Sequence, residues 1–391
     1  MADQFSYYIP TKIYFGKGGL KKLSKRELPG NKALIVTTSG KSVKANGYLD
    51  TLIKELGKAG KEYSIYDKIS ANPHKSEVNE AAAQAVNEGC DFIISLGGGS
   101  SMDAGKAIAL LAANGGDYWD YVFGGTGGCK PVENKPLPIV VITTTAGTGS
   151  EADNVAVITN EDTNEKIGYM HPDLYPTVSI VDPALMTTVP PAFTAYQGFD
   201  ALFHATECYI TNRANLMSDM IALESVRNIA AYLPRAIEDG SDMEARTRVA
   251  FANTLSGMVM TLSSNSSAHS LEHAMSAYHP NLPHGAGLIM ISTEHYRFLI
   301  ESHACDDRFI ALAKAMGASD ASEPSQFIDA LTAFEKACGV DGLKMSDYGI
   351  TPDEFEKITE NAYKTMGALF MQDPVQVKPE DCVAILTKSY K

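Results

Sequence analysis

Histidines and an aspartate in the second half of the chain have the spacing of metal ligands. Asp200 and His204 are four residues apart, which on a helix places a carboxylate and an imidazole on one face. His269 and His273 repeat this spacing, and His284 follows before another apolar stretch. Because the segment around Asp200 is apolar, its carboxylate needs a partner. The pattern predicts a mononuclear divalent site with oxygen and nitrogen ligands, suited to iron(II), zinc or manganese.

Two loops of small residues in the first half have the composition of phosphate-binding turns. A predicted strand runs into three glycines and two serines, and a second β run ends in threonines. Glycines let the backbone approach an anion, and amides at a helix start stabilise its charge. The first loop matches neither the dinucleotide fingerprint nor the P-loop pattern. The predicted nucleotide-binding residues here are Gly97, Gly98, Gly99, Ser100, Ser101, Thr144, Thr145 and Thr148.

The turn after the first long β run bears on the choice of nucleotide. NAD-specific enzymes commonly place a carboxylate there for the ribose 2′-hydroxyl. The turn contains Gly40, Ser42 and Lys44, and no carboxylate occurs before Asp50. Hydroxyls and two lysines suit a 2′-phosphate, so the sequence favours NADP over NAD.

A protease is the alternative interpretation of the histidines. Residues 269–273 read His-Ser-Leu-Glu-His, the inverted zinc-protease motif, in which Glu272 is the general base. A protease has no need of two phosphate-binding loops, so this interpretation leaves the first half unexplained. We favour a metal-dependent enzyme that also binds a nucleotide.

The elements that must position these residues differ between the two halves. Strands are predicted at 33–37, 63–66, 92–96 and 139–143, and helices at 46–58, 76–88 and 101–113. This alternation predicts a mainly parallel α/β sheet, followed by a hairpin-like excursion over 154–181. Beyond Asp182-Pro183, which has the form of a helix cap, helices are predicted near 193–211, 215–235, 243–262, 285–300, 324–338 and 352–366. We expect an α/β nucleotide-binding domain over 1–184 and an all-helical metal-binding domain over 185–391.

Composition excludes several classes of protein. With 33 lysines and arginines against 47 aspartates and glutamates, the formal charge is −14, which disfavours nucleic-acid partners. No apolar run approaches the roughly 18 residues of a membrane span, and the first residues lack the pattern of a signal peptide. The six cysteines show no Cys-x-x-Cys spacing, so neither a disulfide scaffold nor a cysteine zinc site is expected. We expect a cytoplasmic protein.

Four segments of the sequence closely resemble the iron-containing, group III alcohol dehydrogenase family, and the similarity spans nearly the whole chain. Residues 8–18 look like the first strand of that family, and 97–103 like its pyrophosphate loop. Residues 144–148 are similar to its Thr-Thr-Ala-Gly-Thr segment, and 198–207 to the helix that carries the first two metal ligands. The resemblance implies a Rossmann-like N-terminal domain, a helical C-terminal domain and catalysis in the cleft between them, as in dehydroquinate synthase-like architectures.

The resemblance also implies roles for individual residues. By position, the metal ligands are Asp200, His204, His269 and His284. His273 takes the place of a second-sphere histidine assigned to proton relay, and Asn72 and Lys166 match positions that contact the nucleotide in relatives. An additional histidine, His279, lies between the last two of these ligands.

The expected reaction is hydride transfer between a nicotinamide and a small primary alcohol, diol or functionalised short aldehyde. The resemblance implies iron(II), although zinc is preferred by some relatives such as glycerol dehydrogenases, and it implies a homodimer or larger oligomer. Three alternatives stay open: a zinc-dependent polyol dehydrogenase, a lyase resembling dehydroquinate synthase that uses NAD transiently, and a nucleotide-binding module without turnover.

Overall fold

The computed structural model of the protein describes residues 4–391, which divide into two compact units. One unit spans Tyr8–Thr188, and the other contains Val189–Lys391 together with residues 4–7. The first unit is α/β and the second is helical, so the predicted fold class is confirmed. None of the helices in this described part is both long and apolar enough to cross a membrane.

The division falls four residues later than the sequence placed it. Asp182 caps a turn as predicted, accepting a hydrogen bond from the amide of Ala184, but Pro183–Met186 form only a single 3-10 turn. The Asp182 carboxylate also accepts the amides of Gly18 (3.0 Å) and Leu20 (3.3 Å). These bonds tie the turn to the start of the first unit, and the division follows at Thr188.

The strands and helices of the first unit alternate along the chain. The strands are β1 (Lys12–Phe15), β2 (Lys32–Thr38), β3 (Glu62–Ile69), β4 (Phe92–Gly97), β5 (Ile139–Thr143), β6 (Val155–Asn160), β7 (Glu165–Met170) and β8 (Val178–Val181). The helices are α1 (Ser42–Ala45), α2 (Tyr48–Lys58), α3 (Lys75–Asn87) and α4 (Gly99–Asn114). The four predicted strands and three predicted helices are all present, with ends shifted by at most three residues.

The main sheet has the strand order β1-β8-β5-β4-β2-β3, and all its neighbouring strands pair in parallel. Both β4 and β5 are buried along their whole length, as expected for parallel strands covered on both faces. From β2 onwards the order is that of flavodoxin-like sheets, and it reverses between β2 and β4. Ligands of such sheets bind outside the carboxyl ends of the strands at this switch point. The predicted hairpin is β6 and β7, which pair with each other outside the main sheet.

The second unit is a set of helices that begins at Pro191. They are α5 (Pro191–Ile210), α6 (Leu216–Glu238), α7 (Met243–Leu262), α8 (Ser267–Tyr278), α9 (His284–Glu301), α10 (Asp306–Ala315), α11 (Gln326–Ala337), α12 (Phe355–Met366) and α13 (Pro379–Ser389). Three of them, α8, α10 and α13, lie outside the predicted ranges. The first is buried along almost its whole length, so it lacks the polar face that produces an amphipathic pattern.

A buried lysine ties α4 to the segment between β5 and β6. Lys106 has no exposed surface, and its Nζ donates to Asp153 Oδ1 (2.6 Å), Ser150 Oγ (2.8 Å) and the carbonyl of Val155 (2.9 Å). Ser150 in turn donates to Asp103 on α4 (2.6 Å). Burial, opposed by the charge of Lys106, raises the pKa of Asp103 to about 6. The ammonium therefore balances two buried carboxylates and holds the segment between β5 and β6 on α4.

Replacing Lys106 with methionine should destabilise the first unit by about 3–5 kcal/mol, because the carboxylates of Asp103 and Asp153 lose their buried counter-ion. Trp119, the single tryptophan, lies in this unit and reports its denaturant unfolding by fluorescence. The matched control is Lys68→Met, which breaks an exposed ion pair with Glu80 and should cost about 0–1 kcal/mol. Equal losses in the two variants would contradict the assignment.

Candidate functional site

Three helices of the second unit carry the predicted metal ligands and bring them to one point. Asp200 and His204 lie on α5, His269 lies on α8, and His284 is the first residue of α9. Their imidazole Nε2 atoms surround the Oδ1 atom of Asp200, at 3.6 Å for His204, 3.7 Å for His269 and 3.4 Å for His284. The structure thus brings together the four residues that sequence similarity assigned as ligands.

Glycines allow α5 to pack closely against two neighbouring helices, α9 and α6. A Cβ atom at Gly285 would lie 2.0 Å from the carbonyl oxygen of Tyr196 on α5, a backbone atom that cannot move aside. A Cβ atom at Gly198 would lie 2.3 Å from a methyl group of Leu233 on α6. Residue 285 therefore has to be glycine for the start of α9, and with it His284, to reach α5.

The donor set fits a divalent cation. Asp200 Oδ1 and His269 Nε2 are buried, and neither has a hydrogen-bond partner among the residues that the structure describes. Buried polar atoms without partners are costly and rare in folded proteins. The His204 and His269 rings stack with centroids 4.6 Å apart, so their nitrogens face the same oxygen. One carboxylate and three imidazoles suit iron(II) or zinc.

The electrostatics of the cluster favour an ionised Asp200 and a neutral His204, the forms that bind a cation, but they favour a protonated His269. Burial alone would raise the pKa of Asp200, but His204 and His284 hold it well below its usual value. Burial lowers the pKa of His204 to about 4, against the charge of Asp200. For His269, burial is outweighed by Glu207 and Asp200, which raise its pKa to about 10. A cation that binds at His269 therefore displaces a proton.

His273 lies beside the ligands, one helical turn after His269. Its ring centroid is 5.2 Å from that of His284 and 6.4 Å from that of His269. Its Nδ1 atom is 3.0 Å from the sulfur of Met366 on α12. This placement suits the predicted second-sphere position.

The contacts of Glu272 and His279 bear on the protease interpretation and on the identity of the fourth ligand. Glu272 contacts Nδ1 of His284, so its carboxylate is engaged with an imidazole, which does not suit the general base of the protease interpretation. His279 is the C-cap residue that follows α8, and its Nε2 is 3.1 Å from Glu354. His284, and not His279, is the histidine that reaches Asp200.

Sequence reasoning missed one buried charged residue at this site. Glu207 has no exposed surface, and its Oε1 is 2.7 Å from Nδ1 of His269. The signal was present, because Glu207 follows Asp200 by seven residues, or two helical turns, on the same apolar helix. Asp200 and Glu207 are both buried carboxylates, and each needs a partner.

The predicted phosphate-binding loops meet at one edge of the sheet in the first unit. Gly97 at the end of β4 pairs with Thr143 at the end of β5. The amide of Thr144 then donates to the carbonyl of Gly97 at 2.9 Å. Both loops therefore lie at the carboxyl ends of adjacent strands, beside the point where the strand order reverses.

Glycines are required where the two loops touch. A Cβ atom at Gly98 would lie 2.9 Å from the side chain of Thr145, and one at Gly99 would lie 2.4 Å from that of Thr148. Gly98 precedes the sixteen-residue helix α4 without a side-chain cap, so the amides of its first turn have no side-chain acceptor there. Such a helix start stabilises a bound anion.

Three hydroxyl groups also lie at this edge of the sheet, those of Thr37, Ser100 and Ser101. Ser100 contacts the carbonyl of Ala71. The hydroxyls of Thr37 and Ser101 are buried and have no hydrogen-bond partner in the described part of the chain. These atoms lie around the turn at Gly97, since a Cβ there would be 2.4 Å from Ser101 Oγ and 4.0 Å from Thr37 Oγ1.

Asn72 and Lys166 lie on segments that adjoin this edge. Asn72 follows the residue that Ser100 contacts. Lys166 is buried on β7 opposite Thr159 of β6, and the amide of Thr159 donates to the carbonyl of Pro73 at 2.8 Å. The hairpin and the segment at residues 71–73 are therefore in direct contact.

The turn after β2 differs from its sequence-based interpretation. Gly40 and Ser42 lie there as expected, but Lys44 forms an ion pair with Asp67 of β3. No carboxylate precedes Asp50 in the turn itself, yet strand pairing brings one from β3, because Val36 lies opposite Tyr66. This carboxylate is distant in sequence, so a reading of the turn alone could not find it.

Comparison with known proteins gives consistent matches over the whole chain. Residues 10–183 match the model of the iron-containing alcohol dehydrogenases, and residues 194–390 match that of the C-terminal domain of the Fe-containing alcohol dehydrogenase family. Alcohol dehydrogenase 4 of Saccharomyces cerevisiae is 32% identical over 100% of both chains. The NAD-dependent methanol dehydrogenase of Bacillus methanolicus is 32% identical over 92% of this chain and 93% of its own. The crystal structure of an archaeal halo-thermophilic Red Sea brine pool alcohol dehydrogenase superposes with a TM-score of 0.95, at 34% identity and full coverage of both chains.

Replacing His204 or His269 with alanine should abolish metal retention, because each removes one imidazole from around Asp200. Metal content after anaerobic purification and desalting measures this directly. His279→Gln is the matched control and should retain the metal, because His279 contacts Glu354 instead. Full metal content in either alanine variant would refute the ligand assignment.

Proposed function

Because this chain belongs to the iron-containing alcohol dehydrogenase family and is an alcohol oxidoreductase, we propose that it interconverts a short primary alcohol or diol and its aldehyde by hydride transfer to and from NAD. We propose iron(II) as the metal, held by Asp200, His204, His269 and His284. The observation that carries the proposal is the convergence of three imidazole Nε2 atoms on a buried carboxylate oxygen that has no hydrogen bond in the described structure.

The protein supplies four donors and a largely dry site. When bound, a divalent cation acts as a Lewis acid that stabilises negative charge on the substrate oxygen. Asp200, His204 and His269 are each at least nine-tenths buried, which excludes water from around the donors. The His284 side chain is 22% exposed, so we propose that substrate enters on its side.

We assign proton transfer to His273. Its Nδ1 faces the sulfur of Met366, a weak acceptor, so Nε2 is the nitrogen suited to receive a proton. A bound nicotinamide would supply the hydride acceptor or donor. In the oxidative direction Nε2 of His273 would accept the hydroxyl proton of the alcohol, and in the reductive direction it would return that proton.

The α/β unit provides the nucleotide site of this proposal. The first-turn amides of α4, together with Gly97, Gly98, Ser101 and the threonine-rich loop, suit a pyrophosphate. We assign Asn72 and Lys166 to the same nucleotide, because their segments adjoin Ser100 and its loop.

We propose NAD as the nucleotide in place of NADP, which the lysines of the β2 turn had favoured. The charge of Lys44 is neutralised by Asp67, and the added carboxylate disfavours a 2′-phosphate. The similar methanol dehydrogenase of Bacillus methanolicus is named as NAD-dependent.

The direct test combines anaerobic purification, metal analysis and nicotinamide absorbance assays with a panel of short aldehydes and diols. We expect stoichiometric iron and faster oxidation of NADH than of NADPH. Metal-loaded protein that binds NAD but gives no net oxidation of NADH with any aldehyde would favour the lyase alternative. A preference for NADPH would refute the role given to Asp67.

Replacing His273 with glutamine should lower kcat by about 10²- to 10⁴-fold, the usual contribution of a positioned acid or base, while metal content stays unchanged. Steady-state kinetics and metal analysis of the same preparation separate the two effects. The control variant His279→Gln should keep the wild-type kcat. Loss of metal in His273→Gln would contradict a role confined to proton transfer.

A further inference from the structure

A buried glutamate, Glu207, contacts His269, one of the three histidines that surround Asp200. Glu207 lies on α5, three residues after His204, and has no exposed surface. Its Oε1 atom is 2.7 Å from Nδ1 of His269. Its Oε2 atom accepts hydrogen bonds from the amide (2.8 Å) and the hydroxyl (2.9 Å) of Ser266, which precedes α8. Both carboxylate oxygens are therefore engaged with the start of α8.

These contacts determine which nitrogen of His269 has the free lone pair. An ionised carboxylate accepts hydrogen bonds and cannot donate them, so Nδ1 of His269 carries the proton towards Glu207. In the neutral ring, which is the form that binds a cation, the lone pair is then on Nε2, the atom that faces Asp200 Oδ1 at 3.7 Å and has no hydrogen-bond partner in the described structure. Partners of this kind orient metal-bound histidines and raise their basicity.

We propose that Glu207 is a positioning residue of the metal centre, which fixes the tautomer and the ring orientation of His269 so that Nε2 binds the cation. This inference rests on the metal site proposed above and extends it to a residue that does not touch the metal.

A second glutamate repeats the arrangement. Glu272, also without exposed surface, contacts Nδ1 of His284. Space for it depends on Gly287, because a Cβ atom there would lie 2.7 Å from Cγ of Glu272. The same contact at two of the three imidazoles argues against a chance ion pair at Glu207.

The variant Glu207→Gln distinguishes a role of Glu207 in positioning His269 from a role in packing alone. A glutamine side chain has one acceptor oxygen, and both donor groups of Ser266 require it. The amide nitrogen then turns towards Nδ1 of His269 as a donor, which moves the imidazole proton to Nε2. Glu207→Gln thus keeps the volume and the link between α5 and α8 but blocks the metal-binding atom.

The experiment measures Zn²⁺ affinity of the full metal-free chain by competition with a chromophoric chelator. Glu207→Gln should bind Zn²⁺ about 10- to 100-fold more weakly than the wild type. The matched control is Glu335→Gln, since Glu335 is also a buried glutamate of the second unit but bonds to Ser292. We expect this control to keep wild-type affinity, and thermal unfolding of the metal-free forms to show that both variants are folded.

The outcomes separate this inference from the proposed metal site. A loss below about tenfold in folded Glu207→Gln would overturn the role of Glu207. His269→Ala is measured in parallel, and unchanged affinity in that variant would refute the metal site itself. If Glu207→Gln does not fold, proton–nitrogen correlation NMR of the Zn²⁺-loaded wild type decides: a proton on Nδ1 of His269 supports the inference, and metal bound to Nδ1 overturns it.

Discussion

The structure of the second unit depends on one buried carboxylate oxygen that has no hydrogen bond in the described structure. Oδ1 of Asp200 is surrounded by imidazole nitrogens and lies inside an apolar helix, where an unpaired charge is costly. The helices α5, α8 and α9 each contribute to this cluster, and the close approach of α9 requires glycine at position 285. In the proposed metal site a cation at this point would supply the missing partner, so that metal binding would be coupled to the packing of the three helices.

The first unit holds two loops of small residues against each other at one edge of its sheet. Because Gly98 and Gly99 have no side chains, the turn at the start of α4 packs against Thr145 and Thr148. Lys106 on α4 donates buried hydrogen bonds to Ser150 and Asp153, which follow the threonines of the second loop. The amides at the start of α4, which have no side-chain cap, lie at the same edge in an arrangement that suits an anion.

Sequence patterns predicted the strands that are continuous apolar runs and the residues whose spacing is regular. The runs at β2, β4 and β5 and the pair Asp200 and His204 are of this kind. Helix α8 lacked a polar face, so periodicity did not mark it although it carries two of the key histidines. The contact of Asp67 with Lys44 joins different elements, and the contact of Glu207 with His269 forms only once α5 and α8 are packed. Such contacts depend on tertiary structure, which spacing along a chain does not encode.

X-ray absorption spectroscopy at the iron edge of anaerobically purified protein tests the central claim, that one carboxylate and three imidazoles hold the metal, most directly. The account predicts a first shell of only oxygen and nitrogen, with outer-shell multiple scattering from three imidazoles, matching the three Nε2 atoms around Asp200. A sulfur ligand, or scattering from a single imidazole, would contradict it.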